Sequence, residues 1–208
     1  MRPESQLGRF GTPQRRWRVR LGAVRVFAAV FPPDEAVDDL ARAVEPIQQA
    51  RTDLAWTVPP LWHLTLSYFG NITQVDQVLL NRAVADFVQG RRALRVRLAG
   101  AGAFPELQTA QTLWAGLECP GNALGDLSRE LILSLQHLGW MLDRRAFRGH
   151  LALAQAPNPT DLSPAVDQLA DYSGPNWNLP AIAVVWSRVG EGDRPFYELL
   201  GEHPFLSA

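Results

Sequence analysis

Cysteine is nearly absent. Cys119 is the only one in 208 residues, and a single thiol makes neither an internal disulfide nor a cysteine-built metal site. It fits a reducing compartment, so a cytoplasmic location is expected. Lysine is missing altogether: all 20 basic residues are arginine, whose planar fork suits carboxylates and phosphates. They are offset by 21 acidic residues, for a net charge of −1. That balance argues against a globally basic coat for nucleic acid and leaves room for a local basic cleft. Long apolar runs are lacking too. The longest near the start, residues 26–31, is too short to span a bilayer. Arginines precede it, but Arg25 interrupts the region and Pro32-Pro33 follows, so it reads as a first β-strand and not an export signal. No membrane and no obligate protein partner is expected. A content of 47% hydrophobic and 20% charged residues is that of a globular protein with a real core.

Residues 1–22 carry six arginines against one glutamate, with scattered glycine and proline and no periodicity. They read as a flexible basic tail, or as an arm that touches RNA phosphates. Residues 23–208 read as one domain. Within it strands and helices alternate. Residues 24–31 form a strand, and Asp34 opens a helix packed through Val37, Leu40, Val44 and Ile47. Strand 61–69 ends at Gly70, and a helix over 74–89 packs through Leu80, Val84 and Phe87. Strands near 94–103 and 111–118 are joined by a turn at Pro105. Asn122 caps a third helix whose stripe runs Leu124, Leu127, Leu131, Leu135, Leu138, closed by Gly139. A strand at 150–154, a short helix capped by Ser163 and two strands near 180–188 and 195–201 complete an α+β or α/β order.

Two of the four histidines begin near-copies of one phrase: His63-Leu64-Thr65-Leu66-Ser67 and His150-Leu151-Ala152-Leu153-Ala154. They stand 150 − 63 = 87 residues apart, about half the length of the chain beyond the tail, which suggests two similar halves. Alternation on a strand sends Leu64 and Leu66 into a core and His63, Thr65 and Ser67 to the other face; the second copy places Leu151 and Leu153 inward, with His150, Ala152 and Ala154 opposite. Two imidazoles facing one groove, one neutral and one protonated, suffice for general acid–base chemistry on a phosphoester. Neither a metal nor a cofactor is required. Taken singly, each histidine is equally an ordinary half-exposed strand residue. His137, beside the third helix stripe, and His203, before Pro204, read as surface or capping residues. Nothing matches a phosphate-binding glycine loop, a zinc-protease helix or a nucleophile elbow.

With these paired tetrads the chain resembles the two-histidine (2H) phosphoesterases, specifically the bacterial 2′-5′ RNA ligase or RNA 2′,3′-cyclic phosphodiesterase (LigT-like) group. The likeness runs from about residue 24 to 201. It includes Arg25-Val26-Phe27-Ala28-Ala29, Phe69-Gly70 after the first tetrad, Leu113-Trp114-Ala115-Gly116, Phe147-Arg148-Gly149 before the second, Trp186-Ser187-Arg188 and Tyr197-Glu198-Leu199. The resemblance implies an α+β bilobed fold, with two antiparallel sheets in pseudo-twofold symmetry around a central cleft and helices outside. It implies hydrolysis of 2′,3′-cyclic phosphate ends of RNA or nucleotides to a 2′-phosphate, and in some members reversible 2′-5′ joining of RNA ends. His63 would be the proton donor and His150 the proton acceptor.

Two positions depart from the family pattern. Ala152 stands where a threonine or serine is usual, and Gly149 where proline is common. Ala152 removes one phosphate donor, worth about 1.5–3 kcal/mol for a hydrogen bond to a charged group. The remaining phosphate-binding candidates are Thr65 and Arg148, two residues before His150; Arg148 reads equally as a surface arginine paired with an acid such as Asp143. Among the aromatics, one of Phe27, Phe31, Tyr68 and Phe69 is positioned to stack a base while most pack the core, as do Trp56, Trp62, Trp114 and Trp186. Two alternatives stay open: a non-catalytic module that binds RNA ends, and a phosphoesterase for a small cyclic nucleotide.

Overall fold

A computed structural model describes residues 25–70, 72–139, 147–189 and 195–207. The basic tail 1–22 and Asp143 lie outside the described residues. β1 (Arg25–Val30) leads through Pro32-Pro33 into α1 (Asp34–Ala50), with Asp34 and Glu35 at its positive end. Leu40, Val44 and Ile47 are buried as the spacing predicts, and Ala36 takes the fully buried place expected for Val37. A two-residue β2 (Ala55–Trp56) precedes β3 (Leu64–Gly70). α2 (Gln74–Val88) begins with a reciprocal capping box between Thr73 and Asp76. β4 (Arg95–Phe104) and β5 (Ala110–Glu118) follow, then α3 (Ala123–Leu135), whose final turn ends at Gly139 with φ 77°. Asn122 holds the N-cap position of α3, but its side chain bonds Asp126 instead of the helix backbone.

β6 (His150–Thr160) runs well past the expected end at 154. In α4 (Ser163–Gln168) the expected cap, Ser163, is already helical; Leu162 is the N-cap, and Asp161 accepts a hydrogen bond from the Ser163 N–H. β7 (Ser173–Asn178), which the sequence pattern does not announce, precedes β8 (Ala181–Val189) and β9 (Pro195–Pro204).

The named strands pair antiparallel in one nine-stranded sheet, ordered β7-β4-β5-β6-β3-β1-β8-β9, with β2 attached to β6. Two four-stranded arrays, β7-β4-β5-β6 and β3-β1-β8-β9, are the two expected sheets. They meet edge to edge through a single pair, Leu64 with Leu151. The halves also interlock, since β4 follows α2 in the chain yet pairs with β5, while β8 returns to β1. The four α-helices among the described residues cover one face, where Leu40, Leu80, Leu131 and Ala165 join Leu64, Leu66, Leu151 and Leu153 in the main core. Each such buried leucine contributes about 1.5–3 kcal/mol. The opposite face of β1 carries a second, small apolar cluster of Phe27, Ala29, Ala183 and Val185, with Phe31 and Tyr197 against it and no described helix residue. Among the described residues no helix is long and apolar enough to cross a membrane.

Candidate active site

The seam between the halves sets the site. Continuing the antiparallel Leu64–Leu151 register puts Thr65 opposite His150 and Ala152 opposite His63, all on the face away from the leucines. Thus the two tetrads do not look at each other across a gap between separate sheets. They lie side by side on neighbouring strands about a local twofold through Leu64 and Leu151.

Each tetrad is bent by a β-bulge at the same place. Ala28 pairs with Ser67 and Ala29 with Thr65, so Leu66 is the extra residue of β3. In β6, Leu113 pairs with Ala154 and Trp114 with Ala152, so Leu153 is extra. Both freed carbonyls find donors. The Leu66 oxygen accepts from the buried Ser128 hydroxyl of α3 at 2.8 Å, and the Leu153 oxygen accepts from the Thr57 N–H at 2.8 Å. The bulges also correct strict alternation. Ser67 is 4% exposed and Ala154 1% exposed, so both face the core and not the cleft. The Ser67 hydroxyl has no hydrogen-bond partner among the described residues. Tyr68 takes the cleft side instead.

The imidazoles are tethered alike. His63 Nδ1 lies 2.7 Å from the Leu61 carbonyl oxygen, and His150 Nδ1 lies 2.7 Å from the Arg148 carbonyl oxygen. A carbonyl only accepts, so Nδ1 carries the hydrogen in both rings and Nε2 is left to exchange protons. Phe27 stacks on His63 at 5.0 Å and 24°, with Phe31 at 5.6 Å and Tyr197 edge-on at 5.3 Å. His150 sits edge-on to Phe104 at 5.0 Å and to Trp114 at 6.0 Å. Trp114 is therefore a wall of the site. Its indole fits because Gly102 lies beneath it, where a Cβ would collide with the ring. Arg148 is exposed, its guanidinium 5.9 Å from the Phe104 centroid, and the chain before β6 brings it to the rim. Phe69 is in the core, as are Trp62 and, in part, Trp56 and Trp186. His137 bonds the Ser134 carbonyl at the end of α3, and His203 bonds Asn81; both belong to other parts of the fold.

Enclosure lowers the His63 pKa to about 4, against the pull of its bond to Leu61, and the charge of His150 pushes in the same direction as burial. Burial, and then the neighbouring Tyr68, push the Tyr197 phenol up to about 12, so it stays protonated.

The His63 shift predicts how stability depends on pH. An unfolded histidine titrates near 6.5, so between pH 6.5 and 4 the unfolded chain binds the extra proton and acid favours unfolding. His63 is expected to cost the protein at most about 3 kcal/mol between pH 7 and 4, with the loss absent in His63→Gln. Chemical denaturation of both proteins at pH 7, 5.5 and 4 checks this; parallel losses would contradict it.

The model of the 2′-5′ RNA ligase superfamily matches residues 32–191. An RNA 2′,3′-cyclic phosphodiesterase of Methanothermobacter thermautotrophicus is 26% identical over 156 residues, covering 75% of this chain and 82% of the relative. One from Geobacillus stearothermophilus is 25% identical over 183 residues, 88% of this chain but 57% of its own length. Among solved structures, TT0787 of Thermus thermophilus superposes with a TM-score of 0.71 at 23% identity, covering 88% of this chain and 98% of that one. Apo LigT of E. coli gives 0.69 at 16% identity, with the same coverages. The duplicated tetrads, the twofold seam that joins them and the family match across most of the chain agree: this protein belongs to the 2′-5′ RNA ligase superfamily.

Proposed function

We propose that the protein is an RNA 2′,3′-cyclic phosphodiesterase in which His63 and His150 act as a general acid–base pair. The observation that carries this reading is the matched tethering of the two imidazoles, which fixes both tautomers and leaves two Nε2 atoms on one face of the seam. In the assignment the resemblance implies, His150 Nε2 takes a proton from water. The water oxygen bonds to phosphorus, the bond from phosphorus to the ribose 3′ oxygen breaks, and His63 Nε2 gives that oxygen a proton. The product carries a 2′-phosphate and a 3′-hydroxyl.

Desolvation by the aromatic enclosure favours the neutral form of His63 in the free protein. Its proton therefore arrives with the substrate, whose negative charge replaces the solvation that the aromatic enclosure removes. Thr65 supplies a hydroxyl to a non-bridging oxygen, and Arg148 adds positive charge at the rim. A transition state that gains charge on those oxygens is held more tightly than the ground state. The substrates are RNA ends, or nucleotides, bearing a 2′,3′-cyclic phosphate; with the 5′-hydroxyl of a second RNA end in place of water, the same P–O3′ cleavage gives 2′-5′ joining.

The absent hydroxyl at Ala152 favours one rival, a module that binds RNA ends without turning them over. An RNA oligonucleotide ending in a 2′,3′-cyclic phosphate, incubated with protein and EDTA, decides between them. The expected result is a 2′-phosphate end formed at the same rate with and without chelator. Tight binding without product would establish the module, and preference for a cyclic mononucleotide over the oligonucleotide would move the assignment to small cyclic nucleotides.

A further inference from the structure

Tyr68 lies three residues beyond Thr65, an odd spacing that on a regular strand sends two side chains to opposite faces. The extra residue at Leu66 cancels the odd step. As a result the Tyr68 hydroxyl stands 3.5 Å from Thr65 Oγ1, and its ring lies 5.8 Å from Phe27, the residue stacked on His63. Tyr68 is 43% exposed, unusual for a large aromatic residue and open to a ligand on the cleft side. At 3.5 Å the Thr65 hydroxyl donates only weakly to the Tyr68 oxygen, and the Tyr68 proton remains free for a third acceptor.

The other half has no such pair. Phe27 pairs with Tyr68 on β3 as Thr112 pairs with Gln155 on β6, so Gln155 is the matching position. Its amide oxygen is turned toward the Thr112 hydroxyl at 3.0 Å, and residue 152 carries no hydroxyl at all. Hydroxyl donors at the seam are therefore concentrated beside His63.

We propose that Tyr68 donates a hydrogen bond to a non-bridging phosphate oxygen alongside Thr65, so that two hydroxyls of the first half replace the usual one from each half. The inference rests on the phosphodiester reading of the site. It makes Tyr68 a substrate-binding residue and explains how the site keeps two oxygen donors with alanine at 152.

Tyr68→Phe tests it cleanly, because the ring and its packing stay and only the hydroxyl goes. Loss of kcat/KM toward a cyclic-phosphate RNA end is expected to be about tenfold to a hundredfold, with melting temperature unchanged. Affinity for inorganic phosphate, followed by NMR or calorimetry, should weaken as well. In an Ala152→Thr background the penalty should shrink, since the restored hydroxyl takes over part of the task. If the wild type shows no turnover but Tyr68→Phe still weakens phosphate binding, the phosphodiesterase reading fails and the one-sided clamp stands. A Tyr68→Phe protein within about twofold of wild type in both turnover and phosphate affinity overturns the proposal. A wild type that neither binds phosphate nor turns over cyclic ends overturns both.

Discussion

His63→Ala and His150→Ala are each expected to lower turnover of 2′,3′-cyclic phosphate ends by about 10²–10⁴-fold, the usual contribution of one positioned proton-transfer group. The expectation follows from the tethers: with Nδ1 of each ring donating to a carbonyl two residues upstream, Nε2 is the only nitrogen able to exchange a proton with a ligand. The two substitutions differ structurally. His63 is the ring on which Phe27 stacks, and Phe27 is 2% exposed, so His63→Ala opens a hole in the aromatic cluster. His150 touches Phe104 and Trp114 edge-on and is less enclosed. His63→Gln is therefore the better companion, since it keeps most of the volume and removes the titrating ring. The double variant should be hardly worse than either single one, because two groups that act in one step fail together. Retention of more than about a tenth of wild-type turnover in either single variant would end the acid–base pair as an explanation.

Ala152→Thr and Thr65→Ala should move activity in opposite directions. Thr65→Ala removes a hydroxyl aimed at the charged phosphate, a loss of about 1.5–3 kcal/mol or about tenfold to a hundredfold in rate. Ala152→Thr adds the missing one, with a gain up to the same factor if no ordered water has to be displaced. Continued outward from the Leu64–Leu151 pair, the register sets position 152 across from His63 and Thr65 across from His150. In the proposed phosphate clamp the hydroxyls act on the transition state, so kcat is where the difference should appear. On the far side of Ala152 stands Trp114, its direct partner in the ladder. A normally folded Ala152→Thr protein that turns over more slowly would show that the indole and the alanine together shape this half for a different fit of substrate.

The order of the longer elements and the duplicated tetrads were legible in the sequence because they depend on local patterns. Leucines at alternate positions mark the two tetrad strands. The spacing of Leu40, Val44 and Ile47 marks α1, and a repeated His-Leu-x-Leu phrase marks a duplicated half. What alternation could not supply is the bulge. One extra residue at Leu66 and one at Leu153 turn Ser67 and Ala154 into the core and bring Tyr68 to the cleft. Nothing near the tetrads announces those insertions, because their stabilising donors come from afar: Ser128 on α3 for one, the Thr57 backbone for the other.

The aromatic enclosure of His63 belongs to the same class. Phe27, Phe31 and Tyr197 reach it from β1, its following turn and β9, and only that convergence desolvates the ring and depresses its pKa. The short strands β2 and β7 are not legible for a related reason, since Ala55–Trp56 and Ser173–Asn178 are ordered by the strands they pair with and have little pattern of their own. The chain's own residues set which side chains were available for phosphoester chemistry and that they came in two copies. That the copies lie side by side at a single-pair seam came from folding, because strand register and long-range hydrogen bonds are set by packing between segments distant in the chain.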